Sequence, residues 1–127
     1  MPLLDASALD QELEHLASLL RLLSDKTRLN ILLSLSKGER NVSSMCKELQ
    51  LPQPTVSHHL GLLRVSNLIA NRRKGKQVFY ALHNSVSLMD GNALEIDGAG
   101  FSLRISRRAV TFHPTPPHPE KIAPLHE

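Results

Sequence analysis

Five residues in the stretch QPTVSHHLGLLR (Gln53–Arg64) carry groups suited to one kind of chemistry: Gln53, Thr55, Ser57, His58 and His59. Amide, hydroxyl and imidazole groups can donate and accept hydrogen bonds, which is what base edges in a major groove ask of a protein. Carboxylates at those positions would be repelled by phosphates, and the stretch has none. The same residues include Val56, Leu60 and Leu63, which at about 100° per residue gather on one side of a helix. An apolar stripe backed by hydrogen-bonding groups reads as a recognition helix, with Gln53 and Thr55 in its first turn and Arg64 near its end. Gly61 is costly inside a helix, by about 1 kcal/mol relative to Ala. Two explanations stand side by side: close approach to a duplex, or simple tolerance.

A second group lies just downstream. Arg72, Arg73, Lys74 and Lys76 cluster in LIANRRKGKQVFYAL, where alternation at Val78, Tyr80 and Leu82 predicts a β-hairpin turning at Lys74-Gly75. Between Leu49 and Met89 there is no Asp or Glu, whereas the first 24 residues set Asp5, Asp10, Glu12 and Glu14 against Arg21. The overall balance, +3, decides little, but a one-signed central segment is the footprint of a polyanion-binding face. The plainer reading of these charges is a solvated basic surface.

The elements that must position these groups follow from periodicity. Leu9, Leu13, Leu16, Leu20 and Leu23 recur at three- and four-residue spacing, predicting a first helix over 8–23 capped by Asp5 or Ser7. Ser24 or Asp25 would cap a second helix, running from Arg28 to Leu35 and stopped by Gly38. VSSMCKELQL predicts a short third helix opening at Ser43, and Pro54 suits the first turn of the fourth. Asn67 is tolerant of left-handed backbone and marks its end. Further on, Leu94 and Ile96, then Phe101, Leu103 and Ile105, alternate about a Gly-rich turn, predicting a second hairpin that AVTF could extend. The last fifteen residues hold five prolines and predict a disordered tail. The expected fold is mainly α with a small β component: a winged helix-turn-helix over 1–83, a β-hairpin appendage over 84–112 and a Pro/His-rich tail over 113–127.

Composition removes other classes. One cysteine, Cys46, excludes an internal disulfide framework and a Cys-based zinc cage. Its readings are packing, thiol chemistry or metal ligation. No run approaches the roughly 18 apolar residues of a membrane span, and the acidic N-terminus is unlike a signal peptide, so a cytoplasmic protein is expected. No Ser-His-Asp, Cys-His or paired-carboxylate arrangement has a sequence context, and no Gly-rich phosphate loop occurs, so an enzyme is not expected. His58 and His59, adjacent on a helix, diverge by about 100° and do not readily share one ion; one is read as a DNA contact or a support to one, the other as half-buried at the edge of the core. His113, His118 and His126 have no thiol partner nearby and are read as chance occurrences. No cofactor and no metal site are expected.

LSDKTRLNILLSL, TVSHHLGLLRVSNLI and RRKGKQVFYAL together resemble the ArsR/SmtB winged-helix transcriptional repressors, with their D-x-T-R, T-V-S-x-H-L and G-x-x-V-x-Y motifs, over about half the chain (Leu16 to Leu82). The resemblance implies a homodimer that binds a palindromic operator in double-stranded DNA and releases it when an effector, often a metal ion, binds. It places base contacts on Gln53, Thr55, Ser57, His58 and His59 and a second contact on the wing. Two departures follow. At the positions of the family's C-x-C thiolates stand Asn41 and Ser43, and after the wing His83 and Asp90 offer no acid–histidine pairing at helical spacing; the effector is therefore unknown. Where the family continues with a helix, this chain predicts strands. Dimerisation then falls to Leu9, Leu13, Leu16 and Leu20, with the Leu94–Ile105 hairpin covering or extending the interface, or forming a docking edge for another protein. The runner-up function is a winged-helix protein-interaction module whose basic face is incidental.

Overall fold

Asp25 begins the second helix, two residues after the first one stops. In the computed structural model, which describes residues 6–89 and 93–107, helix α1 (Ala6–Leu23) is followed after two residues by α2 (Lys26–Leu35). The extended backbone of Asp25 lets its Oδ1 accept the Arg28 N–H at 3.0 Å, satisfying one of the donors a helix start leaves open. Arg28 in turn donates from Nε to the Leu22 carbonyl at 2.7 Å, closing the end of α1. Of the two candidate caps, Asp25 is therefore the one used; Ser24 donates its hydroxyl to the Arg21 carbonyl instead.

A two-residue strand β1 (Arg40–Asn41) leads into α3 (Val42–Leu49), which starts one residue earlier than Ser43 because Asn41 Oδ1 accepts the Ser44 N–H at 2.7 Å. Gln50, at φ 56°, closes α3, and α4 (Gln53–Val65) begins with Pro54 in its first turn, where no N–H is missed. Asn67 does adopt a left-handed φ of 61°, and the Leu68 N–H reaches back to the Leu63 carbonyl at 3.0 Å. Beyond it, β2 (Ile69–Lys74) and β3 (Gln77–Leu82) form the wing, in a sheet of order β1-β3-β2. The turn falls one residue later than Lys74-Gly75. Lys74 still pairs with Gln77, and the two loop residues are Gly75 and Lys76, because the positive φ (65°) is needed at the first of them, where glycine stands.

The second sheet has a strand more than a hairpin. β4 (Val86–Met89), β5 (Ala93–Asp97) and β6 (Ser102–Ser106) pair in that order, all antiparallel. Register puts Val86, Leu88, Leu94, Ile96, Leu103 and Ile105 on one face, an entirely apolar one. Val86, Leu94 and Ile96 enter the same core as Ile31, Met45, Val56, Leu60 and Leu63. Phe101 lies in the β5–β6 turn, and AVTF and the Pro-rich tail fall outside the described residues.

A polar clamp holds α2 to α3. The buried Ser34 hydroxyl donates to Glu48 Oε1 at 2.8 Å, and Arg40 Nε lies 3.4 Å from the same oxygen. The Ser34 hydroxyl, then Arg40, hold the Glu48 carboxyl below its ordinary value of 4.5. The Arg28 N–H does the same for Asp25 relative to 3.8. Both groups bind protons more weakly folded than unfolded, so their contribution is complete above the unfolded values and is lost as pH falls through the lowered ones. The urea midpoint should therefore drop between neutral pH and about pH 3, and Glu48→Gln should flatten that profile. An unchanged profile in the variant would mean the clamp is too solvated to matter.

Candidate nucleic-acid interface

Helix α4 has the two faces its sequence demands. Val56, Leu60 and Leu63 are completely buried, while Gln53, Ser57, His58 and Arg64 are exposed and Thr55 is half-buried. The apolar stripe fixes the rotation of the helix, and rotation alone decides which polar groups face outward. Gly61 is half-buried, yet a Cβ built there meets nothing within 4 Å. Gly61→Ala is thus expected to raise stability by up to about 1 kcal/mol. If the open space is meant for a duplex, the same variant loses DNA affinity; thermal unfolding and a binding titration together separate the two explanations of this glycine. Unchanged affinity would leave tolerance as its explanation.

His59 departs from the outward group. One residue on from His58, it turns inward toward the α2 start; its side chain is only 14% exposed, and Nδ1 sits 4.0 Å from Asp25 Oδ1. That nitrogen is buried and has no hydrogen-bond partner among the described residues. Its place is the junction of α2 and α4, beside the cap that also anchors Arg28.

The wing separates its cations. Successive strand residues face opposite ways, so Arg72, opposite Phe79, and Arg73, opposite Val78, lie on different faces. Arg72 is engaged within the chain: its Nε and Nη2 donate to the two carboxylate oxygens of Glu39 at 2.7 and 2.9 Å. The pair is exposed, and the Arg72 guanidinium holds the Glu39 carboxyl below its usual range. Lys74 and Lys76, not Arg72, make the tip, on either side of Gly75. No local signal announces Glu39, which stands 33 residues from its partner.

The positions matching the family's thiolates have other work. Asn41 caps α3 through Oδ1 and donates from Nδ2 to Gln77 Oε1 of the wing at 3.1 Å. Ser43 is exposed, and Cys46 is half-buried against the core. Among the described residues, no three His, Cys, Asp or Glu side chains gather so as to hold a metal ion, and no helix is long and apolar enough to cross a membrane. His83 accepts the Ser85 N–H at 3.1 Å, while Asp90 and the three tail histidines lie outside the described residues.

Comparison with known proteins agrees with this geometry. A family profile described as "Bacterial regulatory protein, arsR family" matches residues 25–71. The Biofilm growth-associated repressor of Xylella fastidiosa (strain Temecula1) is 33% identical over 94 residues, covering 74% of this chain and 82% of that protein. The HTH-type transcriptional regulator KmtR of Mycobacterium tuberculosis is 36% identical over 75 residues, covering 59% of this chain and 58% of KmtR, less than two thirds of its length. The solution structure of a homodimeric winged helix-turn-helix DNA-binding domain from Mycobacterium bovis superposes with a TM-score of 0.55 at 27% identity, covering 65% of this chain and 75% of that one. The chain therefore belongs to the ArsR family of bacterial regulatory proteins, winged helix-turn-helix repressors that bind DNA.

Proposed function

We propose that this chain represses transcription as a homodimer, two copies joining through α1 and laying paired α4 helices in successive major grooves of a palindromic operator. Gln53, Thr55, Ser57 and His58 read bases from the exposed face of α4; His59 sets that helix against Asp25 instead of touching DNA. Arg64, Arg73, Lys74 and Lys76 neutralise phosphates, and Arg72 does so only by sharing its guanidinium with Glu39. The observation that carries this reading is the acid-free outward face of α4 continuing into a cationic hairpin. Dimerisation is supported by leucines left exposed along α1 and by the homodimeric M. bovis domain. The protein works in the cytoplasm, has no catalytic role and lacks the family's thiolate metal site, a reading supported by the capping role of Asn41.

The test is selection of bound genomic fragments, then titration of one fragment at rising salt. Arg72→Ala with Arg73→Ala should weaken binding alike for all sequences and reduce the slope of log K against log[salt] by about 1 to 2, most of it from Arg73. Gln53→Ala or Ser57→Ala should instead narrow the gap between selected and random fragments, by about 1–3 kcal/mol per lost base contact. A wing variant with an unaltered slope would refute the assigned contact. Salt-insensitive association with a protein, and none with DNA, would favour the interaction-module reading.

A further inference from the structure

Helix α1 has a second working side. Taking about 100° per residue, the exposed Leu9, Leu13 and Leu20 point one way and His15, Leu19 and Leu22 about 130° away from them, while the half-buried Leu16 lies beside the first group and also lines the cleft on the second side. The latter side faces a cleft of about 450 Å³, within the range of small-molecule sites. Its opposite walls are the turn that ends α4, at Asn67 and Leu68, and the second sheet, at Ile96, Asp97 and Leu103. A partner helix seated on Leu9, Leu13 and Leu20 would border this cleft at Leu16 and leave its His15, Leu19 and Leu22 side uncovered.

Its chemistry is lopsided. The floor is apolar, with Leu19, Leu22, Leu68, Ile96 and Leu103. No lysine or arginine lines it among the described residues. Asp97 is exposed at its edge, and its carboxylate has no ion pair or side-chain hydrogen bond among the described residues. Glu12 lies directly against Gly100, in the turn that supplies Ala99 and Phe101 to the wall. Arg21 reaches the rim through a hydrogen bond to Ser18 at 3.1 Å, and among the described residues that line the cleft the ionisable side chains are Asp97 and His15. An apolar floor under a carboxylate edge selects against anions and fits a body that is apolar at one end and cationic at the other.

We infer that this cleft binds a small amphipathic organic cation, an aromatic or branched aliphatic amine, with its ammonium at Asp97 and its body over Leu19, Leu22 and Ile96. Occupancy ties α1 to the turn that ends α4, which Ser85 already braces by donating its hydroxyl to the Asn67 carbonyl at 2.6 Å. The bound amine thereby changes how the two recognition helices are set. That consequence rests on the gene-control reading; the binding itself does not.

The full chain is titrated with tryptamine and with phenethylamine, and with their neutral counterparts tryptophol and phenylethanol, followed by amide NMR shifts and calorimetry. The amines should shift amides of Leu16, Leu22, Leu68 and Leu103 and bind about tenfold more tightly than the alcohols, the low end for a charge-assisted hydrogen bond at an exposed edge. Asp97→Asn should abolish that preference and leave the unfolding midpoint unchanged. Equal binding of amine and alcohol by the unaltered chain, or shifts confined elsewhere, overturns the site. A saturating amine should alter affinity for the selected DNA about fivefold or more. Binding without that change overturns the coupling, while amine binding by a chain that takes no DNA overturns the gene-control reading and leaves the cleft assignment standing.

Discussion

Replacing Leu13 and Leu20 together by glutamate is expected to leave a monomer, if two copies join through α1 as proposed, and to lower affinity for the selected DNA by about 100-fold or more. Seven residues apart, the two leucines lie within about 20° of each other on α1, and each is 47% exposed. Apolar side chains stacked along one stripe and left in water mark a surface awaiting a partner. Carboxylates at both positions would face their own copies across a twofold axis, setting like charges close together and desolvating them. The chain itself should still fold, since Leu23, the buried residue of α1, is untouched. Light scattering reports the mass, circular dichroism the helix content, and the DNA titration the lost avidity. A variant that stays dimeric with full affinity would remove α1 from the interface.

The second large effect concerns folding. Leu60→Ala should reduce the unfolding free energy by about 2–5 kcal/mol, the range for emptying a packed leucine site. Leu60 has no exposed surface and lies at the centre of the α4 stripe, between Val56 and Leu63. Against a total stability of about 5–15 kcal/mol for a small domain, that loss is a large fraction. Ser57→Ala, less than a turn away but exposed, should shift stability by no more than about 0.5 kcal/mol. Urea unfolding of the two variants measures the contrast directly. Equal, small effects would mean that α4 is not anchored by its leucines and that its apolar stripe does not fix which groups face outward.

The contrast between Leu60 and Ser57 was legible before any coordinates, because it depends on helical period alone. So was the stop at Asn67, where a left-handed residue closes α4. Capping was legible in kind but not always in position. Ser24 and Asp25 are both competent, and the choice rests on which side chain the Arg28 N–H meets. The wing turn slipped by one residue because Lys74-Gly75 and Gly75-Lys76 are equally plausible until pairing of Lys74 with Gln77 settles the register. β4 gave weak signal. VSLM is short, and Val86, paired with Ile96, is buried as a member of the common core assembled from distant elements.

What the sequence by itself determined, then, is what acts within a few residues: the two-faced recognition helix, the order of four helices and a basic hairpin, and the family those motifs point to. What the tertiary structure decided is which of those groups remain available. It turned His59 toward Asp25, bound Arg72 to Glu39, made Asn41 a cap and a tie to the wing, and gave α1 a cleft on one side and bare leucines on the other. Each of those outcomes depends on residues brought together from distant parts of the chain, often tens of residues apart. Periodicity and capping carry no information at that range, because only the packing of the apolar faces selects which distant side chains meet.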